Sequence, residues 1–89
     1  MMTLVTEHAR WHAGADDRSR ARTIAEFVDR HVVIRITGDG RTVKYPVKIV
    51  GVAPYNGTHR VFMDSGSDGS GPDIWWTYAH MVEEITARP

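Results

Sequence analysis

The spacing of apolar residues along the chain changes near His31. Before that point apolar residues recur every three or four positions, which is typical of helices. We predict one helix that begins after Asp16 or Asp17, because a carboxylate there caps the first turn and lies at the positive end of the helix dipole. The core-facing side of this helix is expected to carry Ala21, Ile24, Ala25 and Val28.

A shorter helix is predicted ahead of it, at the start of the chain. Thr3 is its candidate cap and Gly14 its candidate stop. One side of this segment would carry Leu4, His8, Trp11 and His12. The pattern therefore predicts one or two helices within residues 1–30.

From His31 onward a period of two predicts β-strands. The first, His31–Thr37, places Val32, Ile34 and Ile36 on one face. Gly38-Asp39-Gly40 supplies a tight turn, and a second strand follows over Thr42–Val52. Pro46 has no amide hydrogen, so this second strand is predicted to lie at an edge or to bend there.

The last third of the chain leaves two alternatives open. Pro54–Gly57 is predicted as a turn, His59–Asp64 as a strand and Ser65–Pro72 as a polar loop. Asp73–Arg88 fits a helix with Ile74, Tyr78, Met81 and Ile85 on one face. It also fits a strand, a single 3₁₀ turn at Ala79–Met81 and a final strand over Val82–Thr86. The neighbouring Trp75 and Trp76, with Tyr78, favour the strands.

Two stretches of this pattern carry a resemblance to small barrels. Val32–Gly40 is similar to the first strand and turn of Sm-like proteins, which include Hfq-type proteins and a small Rho-inhibitor family. Trp76–Ile85 is similar to the strand, turn and strand that close these barrels, and Tyr45–Val50 looks like the second strand of WYL-type ligand-sensing domains. The resemblance covers residues 17–86. Arg60–Met63 departs from it, since a WYL domain has tryptophan and tyrosine there, and the RNA-binding motifs of Hfq are absent.

The resemblance implies an α+β fold in a single domain, residues 1–89. In this fold a helical segment over residues 1–30 precedes a five-stranded antiparallel SH3-like or Sm-like barrel over residues 31–89. Such barrels are mostly recognition modules without catalytic activity, so the resemblance also implies a protein that acts by binding. Fold analogy alone does not identify the ligand.

Composition narrows the classes of function further. The chain has 89 residues, with 11 basic and 11 acidic side chains and no cysteine. The absence of cysteine excludes disulfides, thiol catalysis and iron–sulfur clusters, and a net charge of zero disfavours binding nucleic acid by overall charge. No signal-peptide pattern and no apolar run long enough for a bilayer is visible, so we expect a cytoplasmic protein without membrane contact.

The charges are unevenly distributed along the predicted strands. Arg35 to Arg60 is mainly basic, whereas Asp64 to Glu84 is acidic. The strand phasing predicts an outward face made of Arg35, Lys44, Lys48, Arg60, Phe62 and Trp75. This face suits a partner protein, because aromatic and arginine side chains dominate protein interfaces. Single-stranded or duplex nucleic acid is the alternative, and a face neutralised by the neighbouring acidic segment is the interpretation without a partner.

Candidate catalytic and metal-binding residues are few. His8 and His12 would share one face of a helix, but a zinc site needs further ligands. Glu83 and Glu84 are expected on opposite faces of a strand, where they could not converge with His80 on one substrate atom. We therefore predict a non-enzymatic protein-interaction module or regulator with no catalytic residue, bound metal or cofactor. A ligand- or metal-sensing domain is the weaker alternative, and the oligomeric state stays open.

Overall fold

The computed structural model describes residues 6–66 and 71–88. Its elements, in chain order, are β1 (His8–Arg10), α1 (Asp17–Ala25), β2 (His31–Gly38), β3 (Arg41–Tyr55), β4 (Thr58–Asp64), β5 (Ile74–Tyr78), a 3₁₀ turn (Ala79–Met81) and β6 (Val82–Ala87). The strands form one antiparallel sheet in the order β1-β6-β2-β3-β4-β5. No helix in these residues is long and apolar enough to cross a membrane.

The fold is α+β, as predicted, but two finer predictions are wrong. The sheet has six strands and is open, rather than five strands closed into a barrel, because within residues 6–66 and 71–88 β1 pairs only with β6 and β5 pairs only with β4. The helix is also not N-terminal, because β1 precedes it. His8, expected on a first helix, lies in β1, whereas Thr3 and Leu4 lie outside the described residues.

The confirmed helix, α1, begins where the sequence predicts. Asp16 is its N-cap, and its carboxylate accepts a hydrogen bond from the Ser19 amide at 3.0 Å. Ala21 and Ile24 face the core, whereas Ala25 is exposed. Val28 lies beyond the helix end and forms a bridge with Ile49 of β3.

Two hairpins are closed by the predicted turns. Asp39-Gly40 joins β2 to β3 and Asn56-Gly57 joins β3 to β4, and all four residues have positive φ angles. Two consecutive residues in that region are typical of the two-residue turns that match the twist of a hairpin. The sequence thus indicates both turns correctly.

Strand β3 is central in the sheet, yet Pro46 disrupts no pairing. Pro46 lies opposite Val33 of β2, and pairing with β4 begins only at Lys48. At Pro46, β3 therefore has a neighbouring strand on one side only. The missing amide hydrogen of the proline then removes no hydrogen bond between β3 and β4. A bulge between Ile49 and Gly51 then changes the register of the strand.

The C-terminal part is a strand, a 3₁₀ turn and a strand, which confirms the extended alternative for residues 74–86. The core lies between α1 and the sheet, and twelve of the described residues are buried apolar members of it. Its largest fully buried members are Phe27, Ile24, Ile34, Ile49, Met63 and Ile85. Within the loop predicted at Ser65–Pro72, residues 67–70 lie outside the described part of the chain.

Candidate functional site

Strands β4 and β5 place several aromatic rings and one arginine on the same outer surface. Phe62 lies opposite Trp76 and Arg60 lies opposite Tyr78. Because side chains two residues apart share a face, Arg60, Phe62, Trp76 and Tyr78 all project to this side of the sheet. Tyr55, at the end of β3, joins them from the adjacent turn. We call Tyr55, Arg60, Phe62 and Trp76 the aromatic–arginine face.

The guanidinium of Arg60 is the centre of this face. Its Cζ atom lies 4.2 Å from the ring centroid of Tyr55, 5.2 Å from that of Phe62 and 5.3 Å from that of Trp76. Each such cation–π contact stabilises by about 0.5–1 kcal/mol at a partly exposed site. The buried Nε atom of Arg60 has no hydrogen-bond partner, and no carboxylate in residues 6–66 or 71–88 lies within 4.0 Å of the guanidinium.

Further rings continue the face toward the 3₁₀ turn. Trp76 meets Tyr78 edge-on with centroids 5.0 Å apart, and Tyr78 stacks on His80 at 5.2 Å with an interplanar angle of 12°. The rings thus hold one another in place, yet Trp76 is still 42% exposed and Tyr55 41%. Aromatic and arginine side chains are enriched at the centres of protein interfaces, so this partly exposed surface is a candidate binding site.

Arg60 and Phe62 of the predicted outward set lie on this face, but Trp75 does not. Its ring packs against the core and meets Tyr45 edge-on at 5.0 Å, while its Nε1–H donates to Ser65 Oγ at 2.6 Å. The predicted placement of Trp75 beside Arg60 and Phe62 is therefore wrong. The β4–β5 register brings Trp76 opposite Phe62 and turns Trp75 inward.

Arg35 lies elsewhere on the sheet and is neutralised by acidic side chains. Its Nε is 3.4 Å from Glu83 Oε2 and its Nη1 is 3.5 Å from Glu84 Oε1. Glu83 and Glu84, expected on opposite faces of a strand, both reach this guanidinium, at different nitrogen atoms, because the register of β2 and β6 shifts between Arg35 and Ile36. At such a bulge an additional residue enters one strand, so neighbouring side chains can reach the same group.

The two lysines of the predicted set lie along β3. Lys44 is opposite Arg35 and exposed, and Lys48 is opposite Asp64. Hydrogen bonds from the amides of Asp73 and Gly66 hold the pKa of Asp64 below its usual range, and the nearby charge of Lys48 adds to this effect. The carboxylate is therefore ionised beside Lys48. By the registers of β2, β3 and β4, the three basic residues Arg35, Lys44 and Lys48 share the outer side of the sheet with Arg60 and Phe62. Arg35 and Lys48, however, lie beside acidic side chains.

The histidines do not form a metal site in the described part of the chain. No group of three metal-ligating side chains occurs there. His8 Nε2 lies 2.7 Å from Glu84 Oε2, and His8 and His12 do not share a helix. His59 Nδ1 lies 2.7 Å from Asp17 Oδ2. The other carboxylate oxygen of Asp17, Oδ1, accepts a 3.0 Å hydrogen bond from the Thr58 hydroxyl. These contacts attach the first turn of α1 to β4.

Sequence reasoning did not identify Arg20, which is 3% exposed. Its guanidinium donates to four backbone carbonyl oxygens, those of His12, Ala15, His80 and Val82. The sequence contains one signal for this buried arginine: Arg20 lies on the apolar side of the predicted helix, one residue before Ala21. Since arginine is seldom fully buried without acceptors, this position implies a network of partners.

Comparison with protein-family models, with curated proteins and with solved structures finds no match for this chain. The resemblance to Sm-like and WYL-type domains therefore stays a prediction, and the function is inferred from the geometry of the chain itself.

Proposed function

We propose that this protein is a non-enzymatic interaction module that binds a partner protein through the aromatic–arginine face. The observation that carries the proposal is the position of the Arg60 guanidinium, within 5.3 Å of three ring centroids on a partly exposed surface. Arginine and large aromatic residues supply most of the binding energy in protein interfaces.

Charge complementarity defines the chemistry of the partner. Arg60 has no carboxylate within 4.0 Å among the described residues, and the surrounding rings exclude water from part of its guanidinium. A partner that presents a carboxylate between apolar side chains would pair with this cation and cover the rings. A charge-assisted hydrogen bond formed in such surroundings is stronger than one in open solvent.

A protein partner is favoured over nucleic acid by the charges around the face. Asp64 lies two residues beyond Phe62 on the same side of β4, and Arg35 is already paired with Glu83 and Glu84. Single-stranded nucleic acid is bound by a groove of positive charge that follows several phosphates, together with stacking rings. Here the rings surround one cation, and an ionised carboxylate lies beside them.

The test is affinity capture with matched variants, followed by titration of each purified captured protein. Arg60→Gln removes the charge and Trp76→Ala removes a ring, whereas Val43→Ala changes a residue of similar exposure, 44%, outside the face. We expect a captured protein whose dissociation constant rises about thirtyfold with either face variant, as for a binding hot spot, and stays unchanged with Val43→Ala.

Two results would overturn the proposal. One is that every captured protein binds Arg60→Gln and Trp76→Ala as tightly as the unchanged chain. The other is that a labelled single-stranded oligothymidylate binds at low salt and that Arg60→Gln abolishes this binding, which would assign the face to nucleic acid.

A further inference from the structure

The two edges of the sheet differ in how they are protected. At one edge, β1 has three residues, of which His8 and Arg10 are exposed. At the other edge, β5 spans Ile74–Tyr78 and contains no charged residue and no proline. Proteins normally protect an exposed edge with charges, prolines or short strands, because its free backbone groups can pair with another chain. Among the residues that the structure describes, β5 is the edge left open to pairing.

The hydrogen-bond pattern shows which residues of β5 present free backbone groups. The Ser65 amide donates to the Asp73 carbonyl oxygen at 3.0 Å, and these two residues continue the register that places Asp64 opposite Ile74. Opposed residues in an antiparallel ladder alternate between exchanging hydrogen bonds and pointing away. Trp75 therefore bonds toward β4, whereas Ile74, Trp76 and Tyr78 direct their backbone groups to the open edge.

The side chains at this edge are also unusually apolar. Ile74 is 51% exposed and Trp76 is 42% exposed, and both project to the outer surface of the sheet. Backbone groups and apolar side chains of the same residues are thus available together. That combination is the one used when a strand is added to an existing sheet.

We propose that β5 pairs antiparallel with β5 of a second copy of this chain, about a two-fold axis at Trp76. In this register Trp76 lies opposite Trp76 of the other copy, and Ile74 lies opposite Tyr78. Each outward-directed residue then meets another outward-directed residue, and the Trp76 pair exchanges two hydrogen bonds. In the Ile74–Tyr78 pairs the Tyr78 carbonyl oxygen, which already serves the 3₁₀ turn as its N-cap, accepts with its second lone pair. Aromatic pairs and aromatic–β-branched pairs across strands add to the stability of such a ladder.

Charge favours a second copy in this orientation. Asp73 precedes β5 and His80 follows it, and both are exposed. Antiparallel pairing keeps the two Asp73 carboxylates at opposite ends of the new interface, whereas parallel pairing would bring these like charges together. The strand itself carries no charge, and the chain has a net charge of zero, so nothing in its overall charge opposes association.

Pairing of two β5 strands is a separate property from binding a partner protein, but it would change how the partner-binding surface is presented. The outer surfaces of the two sheets become continuous across the two-fold axis, which places two aromatic–arginine faces side by side. A five-residue strand forms a small interface, so the dimer is expected to dissociate on dilution.

Sedimentation equilibrium of the full chain from micromolar to millimolar concentration tests the proposal. Ile74→Pro removes an outward N–H without removing a bond to β4, and Ile74→Ala removes most of the side chain but keeps the N–H. We expect a monomer–dimer equilibrium in which Ile74→Pro raises the dissociation constant by at least about tenfold and Ile74→Ala raises it clearly less. A monomer throughout this range, or a dimer equally stable in both variants, would overturn the proposal.

A second measurement uses the unchanged chain and so does not depend on how the variants fold. In a mixture of isotope-labelled and unlabelled chains, intermolecular nuclear Overhauser effects are expected between Ile74 of one copy and Tyr78 of the other. Intermolecular contacts confined to another surface would contradict β5 pairing. Absence of these intermolecular contacts, in a chain that still binds a partner through Arg60 and Trp76, would overturn β5 pairing and leave the proposed function standing.

Discussion

The buried guanidinium of Arg20 donates a hydrogen bond to the carbonyl oxygen of Val82 at 3.0 Å and so joins α1 to the first residue of β6. The same group also binds the carbonyl oxygens of His12, Ala15 and His80. A single side chain thus connects the segment between β1 and α1 with the 3₁₀ turn. Guanidinium suits this role because its planar array of donors can serve several acceptors at once.

Replacement of Arg20 by methionine is expected to destabilise the fold strongly. The apolar side chain would remove the guanidinium donor from four carbonyl oxygens, of which that of His12 keeps a bond, from the Ala15 amide. The expected cost is about 3 kcal/mol in the free energy of unfolding. Urea denaturation measures this change. Arg22→Met, on the exposed side of the same helix, is the control and should change stability by less than about 0.5 kcal/mol. An equal decrease in the free energy of unfolding in the two variants would show that the hydrogen bonds of Arg20 do not stabilise the fold.

Truncation of the two neighbouring tryptophans is predicted to lower the free energy of unfolding by different amounts. Trp75→Ala removes a ring that packs on the core and on Tyr45, so the free energy of unfolding should fall by about 3 kcal/mol. Trp76→Ala removes a ring that is 42% exposed and should cost less than about 1 kcal/mol. Chemical denaturation followed by circular dichroism tests both. Equal losses, or the reverse order, would contradict the β4–β5 register.

Local chemistry explains which parts of this fold the sequence could predict. Asp16 caps α1, and Asp39-Gly40 and Asn56-Gly57 adopt positive φ angles, each for reasons contained in neighbouring residues. The strand–turn–strand at residues 74–86 was likewise indicated by its aromatic and β-branched residues. These features need no knowledge of distant contacts.

Features set by distant contacts were not predictable in the same way. β1 has only three residues, too few for a periodic signal, and exists because it pairs with β6. The face on which Trp75 lies depends on the register between β4 and β5. A register shift of one residue would move every side chain of the strand to the opposite face of the sheet. The convergence of Glu83 and Glu84 on Arg35 depends on a bulge with no local sequence signal.

The ionisation of Glu84 should depend on His8. A hydrogen bond from His8, at 2.7 Å, and the charge of Arg35 hold the pKa of Glu84 below its usual range. Because the pKa is lowered in the folded state, this stabilisation is present above the unfolded-state pKa and is lost as the pH falls through the folded-state value. His8→Ala should raise the pKa of Glu84 toward its ordinary value, which a carboxyl-carbon NMR titration measures.

Asp64 is the internal control for that titration. The amides of Asp73 and Gly66 lower its pKa, and neither interaction involves His8. The pKa of Asp64 should therefore be the same in His8→Ala and in the unchanged chain. If the pKa of Glu84 is unchanged in His8→Ala, or if the pKa values of Glu84 and Asp64 shift equally, His8 does not control the ionisation of Glu84.

The loop between β4 and β5 should tolerate no side chain at position 66. A Cβ atom on Gly66 would overlap the carbonyl oxygen of Gly71 and lie only 3.2 Å from the amide nitrogen of Asp73. Both are backbone atoms of the chain that leads into β5, so relief requires the loop to move. Gly66→Ala is expected to lower the free energy of unfolding by about 1–3 kcal/mol, the usual cost of overpacking.

Gly51→Ala is the matched control, since Gly51 has no heavy atom within 4 Å of an added Cβ and no positive φ. It should leave stability unchanged or raise it by up to about 1 kcal/mol through the unfolded state. Thermal denaturation compares the two variants, and the indole NMR signals of Trp75 and Trp76 report the β4–β5 register. Since the Gly66 amide also binds the Asp64 carboxylate, these signals should shift in Gly66→Ala alone. A fully stable Gly66→Ala with unshifted indole signals would show that the loop does not hold β5 in register.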